Sequence, residues 1–368
     1  MCESIIIANH DAISYRVISH EIGKVLGRDY DVYIIDCGYK GEYHTYPFSL
    51  ISGIYQALPA HVNHLRDAVK AKYTIFIFDL HKHLRLENAL QDRDWEYTAV
   101  FPIESWPLLW PEAAEKLDRR FVISRFGVEV CKKAGLETTY LPLGLDIDYW
   151  TPGDNNLARG KCGQLWLKHI AIKSNEPPVD VLSRVANSKI VLTVADNNDR
   201  KNLPACFEIV SRLKEEAMLV IVAPSKEHKG SPYEGWDLHA LARDYDLQNR
   251  FVWVGGLSKD LLREHYRAAD VFLLPSQAEG YGLILREAAA CGLPWVATDC
   301  TAISEAPGGI KIPPKGPPTI FPLGNQRRYW IDEEAAAEAI DHIFNHPEMV
   351  GDFSDYPTWE DCVEILVD

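Results

Sequence analysis

The stretch Val271–Ala297, VFLLPSQAEGYGLILREAAACGLPWVA, decides the fold class. Its first four residues are apolar and read as a buried strand, Val271–Leu274. A loop holding Glu279, Gly280, Tyr281 and Gly282 follows, then a helical stretch, Leu283–Cys291, and a second strand, Trp295–Ala297. Strand, helix and strand in immediate succession is the repeating unit of a parallel sheet with crossover helices.

The alternation continues in both directions. Upstream in the same half of the chain, strands are predicted at Ile190–Val194, Leu219–Ala223 and Phe251–Val254, with helices near Leu203–Lys214, Leu238–Tyr245 and Lys259–Ala268. A separate series occupies the first half: strands Ile5–Ala8, Val32–Asp36, Tyr73–Asp79, Thr98–Pro102 and Phe121–Ser124, with helices at Ser14–Leu26, Ala60–Lys70 and Phe126–Ala134. Between the two lies Leu143–Gly163, rich in Gly, Pro and Asn, which reads as a turn-rich junction. The expected organisation is an α/β protein with a first domain at 1–150, a second at 151–350, and a last helix in 351–368 packing back across the junction. At 368 residues the chain is long for one core and comfortable as two.

Composition narrows the function. With 47% hydrophobic residues and 25% charged, the chain is globular rather than disordered. A net charge of −15 opposes sequence-indifferent binding to nucleic acid or anionic lipid, which draws on Lys and Arg. No apolar run reaches membrane-spanning length and the opening residues lack a basic leader, so a cytoplasmic protein is expected. The eight cysteines form no CxxC or CxxH pair, which argues against a zinc site.

The chemistry gathers where strands meet helix N-termini, which offer unpaired N–H groups to a ligand. Glu279 and Glu287 are eight residues apart, a spacing of just over two helical turns that would bring both to one side of a cleft. A glycine-capped loop before a helix bearing two exposed acids would look the same in outline. Pro-Ser, then Glu-Gly-Tyr-Gly-Leu and a second Glu, closely resembles the E-x7-E motif of the retaining glycosyltransferases of family four, which have the GT-B fold. That resemblance implies two Rossmann-like domains facing across a cleft, the nucleotide-sugar mainly on the second and the acceptor mainly on the first. It implies that Glu279 bonds the donor sugar hydroxyls, that Gly280, Tyr281, Gly282 and Leu283 offer backbone amides, and that Glu287 holds the ribose hydroxyls.

TVADNNDRKNLP resembles the same family's first strand and phosphate loop in the second domain, which sets Asn198, Arg200 and Lys201 opposite the donor diphosphate. Many members carry an Arg directly after that strand; Ala195 stands there in this chain. FPIESWPL, FVISRFGVEVCKKAGL and LPLGLDIDYWTP look like successive landmarks of the first domain. In the last, Asp146-Ile147-Asp148 resembles a metal-binding DxD, but its junction context favours a structural role. His81 and His83 follow a strand, where the family often presents one histidine to sugar and acceptor; a surface histidine of no special role fits the sequence equally. Lys82 and Arg85 make the loop basic enough for an anionic acceptor. The first loop, NHDAISYR, lacks the glycines of many relatives and offers His10, Ser14 and Tyr15 instead.

The reading is therefore a retaining hexosyltransferase that uses a UDP- or GDP-sugar by front-face displacement. Its cations meet the phosphate charge, so neither a metal nor another cofactor is expected. The acceptor could be a glycan, a small molecule or modified DNA. Two alternatives remain open: a phage-type enzyme glycosylating hydroxymethylated bases, and a silent nucleotide-sugar-binding protein.

Overall fold

The computed structural model describes residues 3–10, 12–174, 183, 185–224, 235–322, 324–346 and 356–368. Its chain divides into two compact units. One comprises Met1–Asp146 with Leu323–Asn325 and Tyr356–Asp368; the other comprises Ile147–Pro322 and Gln326–Asp355.

The first unit is built on seven parallel strands: β1 (Ser4–Asn9), β2 (Asp31–Asp36), β3 (Ser49–Ser52), β4 (Tyr73–Ile77), β5 (Thr98–Phe101), β6 (Arg119–Val122) and β7 (Thr139–Tyr140). They lie in the order β3-β2-β1-β4-β5-β6-β7. Helices α1 (Ile13–Leu26), α2 (Leu58–Val69), α3 (Leu80–Ala89), α4 (Pro111–Glu115) and α5 (Arg125–Lys133) connect them. Strand β1 is buried along its whole length, which is why Ile5–Ala8 reads as an unbroken apolar run. The core beneath it gathers Ile6, Phe76, Phe101 and Val122.

The second unit repeats the plan with six parallel strands: β8 (Lys189–Val194), β9 (Ala217–Val222), β10 (Phe251–Val254), β11 (Val271–Leu274), β12 (Trp295–Thr298) and β13 (Ile310–Ile312). Their order is β10-β9-β8-β11-β12-β13. The helices are α6 (Asn155–Ser174), α7 (Leu203–Ser211), α8 (Leu238–Asp244), α9 (Lys259–Ala268), α10 (Leu283–Ala290) and α11 (Glu333–Asn345), and an antiparallel hairpin joins β14 (Thr319–Phe321) to β15 (Gln326–Arg328). In both sheets the chain winds outward from a central strand, then starts again on its other side. This is the doubly wound Rossmann arrangement, and its crevice for ligands opens at the carboxyl ends of the strands flanking the reversal. The reversals fall between β1 and β4 and between β8 and β11.

One expectation is corrected. The passage Leu143–Gly163 is not turn-rich throughout, because α6 already begins at Asn155. Glycine lowers helix propensity, but tertiary contacts override it here. Asp154 accepts from the Leu157 N–H at 2.9 Å, the Asn155 amide donates to the Arg267 carbonyl at 3.0 Å, and Arg159 reaches the Ala268 carbonyl at 3.0 Å and Asp270 at 2.5 Å.

The final helix, α12 (Trp359–Val367), belongs to the first unit. Thr358 and Asp361 form a capping box at its start, and the helix packs on α1, with Arg28 paired to Glu360 at 2.7 Å. Gly144 lies so close that an added Cβ would sit 2.3 Å from the Trp359 nitrogen.

Candidate functional site

Strands β8 and β11 flank the reversal in the second sheet, and the loops leaving their carboxyl ends carry the candidate chemistry. After β8, a short 3-10 turn, Asp199–Lys201, is capped by Asn198, whose side-chain oxygen accepts from the Lys201 N–H at 3.2 Å. Asn202 takes a left-handed conformation with φ 51° and α7 begins directly after it. The turn sets Arg200 and Lys201 side by side. After β11, Pro275–Gly282 brings Glu279 against them: Lys201 Nζ lies 2.5 Å from one carboxylate oxygen and Arg200 Nη1 3.1 Å from the other.

Glu279 is 5% exposed. Burial by itself would push its pKa up, but Lys201 and then Arg200 outweigh that and hold it at about 2. The two loops are also tied through their backbones. The Gln277 N–H donates to the Arg200 carbonyl at 2.9 Å, and Arg200 Nη1 donates to the Ala278 carbonyl at 2.5 Å. Thr301, beyond β12, grips Glu279 from behind; its hydroxyl accepts from the Glu279 N–H at 2.8 Å and donates to the Glu279 carbonyl at 2.9 Å. Sequence reasoning missed Thr301, because nothing in its neighbourhood marks a contact made 22 residues away.

The two glutamates are not related by helical turns, as their spacing alone suggests. Helix α10 starts only at Leu283, after Gly282 at φ 80°, so Glu279 sits on the loop and Glu287 on the helix. Glu287 is buried and accepts from the hydroxyl of Tyr266, itself fully buried, at 3.0 Å. Between them, the carbonyls of Tyr281 and Gly282 both receive the Arg286 guanidinium, which stacks 3.9 Å from the Tyr281 ring centroid. The backbone of Tyr281 and Gly282 is thereby held by a side chain of α10. Tyr266 and Arg286 also escaped the sequence reading.

In the first unit, the loops after β1 and β4 carry His10 and Asp79. Tyr15 is buried and its hydroxyl donates to Asp79, whereas Ser14 is exposed. The two histidines of α3 have separate fates. His83 is fully buried among Phe78, Tyr97 and Phe101, with Nδ1 3.0 Å from the Tyr97 hydroxyl, and burial pushes its pKa down to about 4. His81 is exposed, its ring 5.0 Å from that of Trp110; partial burial lowers its pKa, with Asp79 opposing and Lys82 assisting. Among the described residues, no group of three His, Cys, Asp or Glu side chains could hold a metal ion. No described helix is long and apolar enough to cross a membrane.

Residues 188–345, which span β8 to α11, match the family described as "Glycosyl transferases group 1". D-inositol 3-phosphate glycosyltransferase of Geodermatophilus obscurus is 29% identical over 193 residues, covering 49% of this chain and 38% of that protein. The GDP-mannose-dependent alpha-(1-6)-phosphatidylinositol monomannoside mannosyltransferase of Mycobacterium tuberculosis is 30% identical over 181 residues, covering 47% and 40%. The match thus spans less than half the length of these curated relatives. Among solved structures, sucrose-phosphate synthase from Thermosynechococcus elongatus aligns with a TM-score of 0.72 at 16% identity, over 99% of this chain and 94% of that one. The Anabaena protein HepE in complex with UDP-glucose aligns at 0.69 and 14%, over 99% and 94%. At such identities the alignments speak for the fold, two Rossmann-like domains.

Proposed function

We propose that this chain is a group 1 glycosyltransferase that moves a sugar from a nucleotide-sugar donor to an acceptor hydroxyl with retention of anomeric configuration. The observation that carries the proposal is Glu279 held between Lys201 and Arg200 at the carboxyl ends of β8 and β11, inside the segment that matches the family. With a pKa of about 2, Glu279 stays ionised at physiological pH and cannot act as a general acid. It is a fixed acceptor of hydrogen bonds, suited to sugar hydroxyls.

The triad of Glu279, Lys201 and Arg200 retains one net positive charge. As the bond between the anomeric carbon and the donor phosphate breaks, negative charge grows on the leaving diphosphate. Lys201, Arg200 and the amides of Gly280 to Leu283 meet that charge without reorganising; removing one such donor typically costs about 3–4 kcal/mol of transition-state stabilisation. The departing phosphate oxygen takes the acceptor's proton while the acceptor oxygen bonds to the same face of the sugar. Glu287, fixed by Tyr266, is assigned to the ribose hydroxyls, and His81, the exposed histidine of α3, to the acceptor side. The side-chain charges suffice in this scheme without a resident metal.

HepE with UDP-glucose and the GDP-mannose-dependent relative suggest a UDP- or GDP-sugar as donor. The test is a panel of UDP-, GDP- and ADP-sugars, scored for equilibrium binding and slow hydrolysis, with Glu279→Ala and Lys201→Ala beside the unaltered protein. Binding and hydrolysis lost in both variants support the proposal. Failure of every nucleotide sugar to bind, or variants that bind as well as the parent, sinks it; binding without turnover marks a silent binding protein.

A further inference from the structure

Asn197 stands on the same loop as Arg200 and Lys201 and is 3% exposed. Its side-chain amide is fully engaged with one backbone position of a distant segment: Nδ2 donates to the Trp236 carbonyl at 2.8 Å, and Oδ1 accepts from the Trp236 N–H at 2.8 Å. The preceding residue must be small for this to happen. A Cβ on Gly235, whose φ is +21°, would lie 2.5 Å from Asn197 Cγ. Glycine and asparagine together therefore dock the backbone of Trp236 against the β8 loop, while the indole-bearing residue remains 41% exposed. Asp237 then caps α8, accepting from the His239 and Ala240 N–H groups at 3.0 and 2.9 Å.

An exposed indole gains nothing for the core, yet two residues fix its position. The location indicates its use. In a doubly wound sheet a dinucleotide or nucleotide lies across the carboxyl ends of the strands, with phosphates at the reversal and the nucleoside toward the strands on one side of it. Here the phosphate-facing cations follow β8, and Trp236 enters the helix that leads from β9 to β10. We propose that Trp236 is the platform on which the base of the donor nucleotide stacks, and that Asn197 is the positioning residue that holds it there. This rests on the nucleotide-sugar reading above and adds a specificity-determining residue to it. Stacking on a flat indole tolerates either a pyrimidine or a purine, so the platform sets affinity for the nucleoside part more than the choice of base.

The experiment compares equilibrium binding of UDP, GDP and inorganic pyrophosphate to the full chain and to Trp236→Ala, Trp236→Phe and Asn197→Ala, with thermal unfolding as a check on folding. Trp236→Ala should weaken whichever nucleoside diphosphate the parent binds by roughly tenfold or more, and Trp236→Phe should recover most of that loss. Pyrophosphate affinity should stay as it was in both. Asn197→Ala should weaken the nucleotide in the same sense, and combining it with Trp236→Ala should add little further loss. Nucleotide affinity unchanged in Trp236→Ala overturns the platform alone, as does an equal loss of nucleotide and pyrophosphate. A parent protein that binds no nucleoside diphosphate refutes the underlying reading instead.

Discussion

Replacing Glu279 by Gln tests whether buried Glu279 and its two cations are held together by charge. The substitution keeps the shape and removes the anion, leaving Lys201 and Arg200 facing each other without it. The carboxyl pKa falls from its ordinary 4.5 to about 2 in the folded chain. That difference corresponds to about 3 kcal/mol of stability present at neutral pH, since each pKa step is worth about 1.4 kcal/mol. The sign follows from proton uptake. The unfolded chain protonates near 4.5 and the folded one only near 2, so the contribution is complete above pH 4.5 and drains away as pH falls towards 2. The stability gap between parent and Glu279→Gln, measured by urea unfolding, should therefore narrow by about 1 kcal/mol between pH 6 and pH 4 and by about 2 kcal/mol by pH 3. A gap that keeps its size across this range would refute the charge argument and assign the effect to packing. A variant more stable than the parent at pH 7 would show that desolvation of Glu279 outweighs its two partners.

Lys201→Ala should lower the rate of donor hydrolysis by roughly a hundredfold or more, because it removes a cation from the leaving phosphate; steady-state kinetics against the identified donor provide the measurement. Tyr266→Phe deletes the hydroxyl that donates to buried Glu287 and should destabilise the protein by about 1–3 kcal/mol while weakening nucleotide binding, read by thermal unfolding and titration. For His83 the folded pKa of about 4 lies below its ordinary 6.5, so the unfolded chain gains a proton first and stability is lost as pH falls from 6.5 towards 4. His83→Leu should flatten that loss, by up to about 3 kcal/mol, whatever its constant offset. His81→Ala should leave unfolding nearly unchanged and reduce transfer to the acceptor, the converse of His83→Leu.

The central strands were legible because parallel strands buried on both faces show as continuous apolar runs, as in Ile5–Ala8 and Val271–Leu274. The edge strand β3, with the sequence SLIS and partial burial, carries no such signal. Helix α3 hides its periodicity behind the polar residues of LHKHLRLENA, and with it the opposite orientations of His81 and His83. Helix α6 was masked by glycines and asparagines whose helicity depends on Arg159 and Asn155 reaching across to α9 and Asp270. At the site, Glu279, Arg200 and Lys201 could be named because the motifs that carry them, in the loops after β11 and β8, resemble those of a known family. Thr301, Tyr266 and Asn197 could not, since each acts through a partner that only the fold brings near.

The first unit is interrupted in sequence: α12 closes against α1 and Gly144 only after residues 147–355 have been made. During synthesis on a ribosome, at about 5–20 residues per second, the surface of α1 that α12 covers therefore stays open to water for roughly fifteen to seventy seconds, the time taken to make the residues between Leu26 and Val367. The second unit meets no such delay, because all of its residues emerge before residue 356. The half of the protein that is translated first is thus the half that finishes last, and a nascent chain stalled before Thr358 would carry a complete second unit beside an unfinished first one.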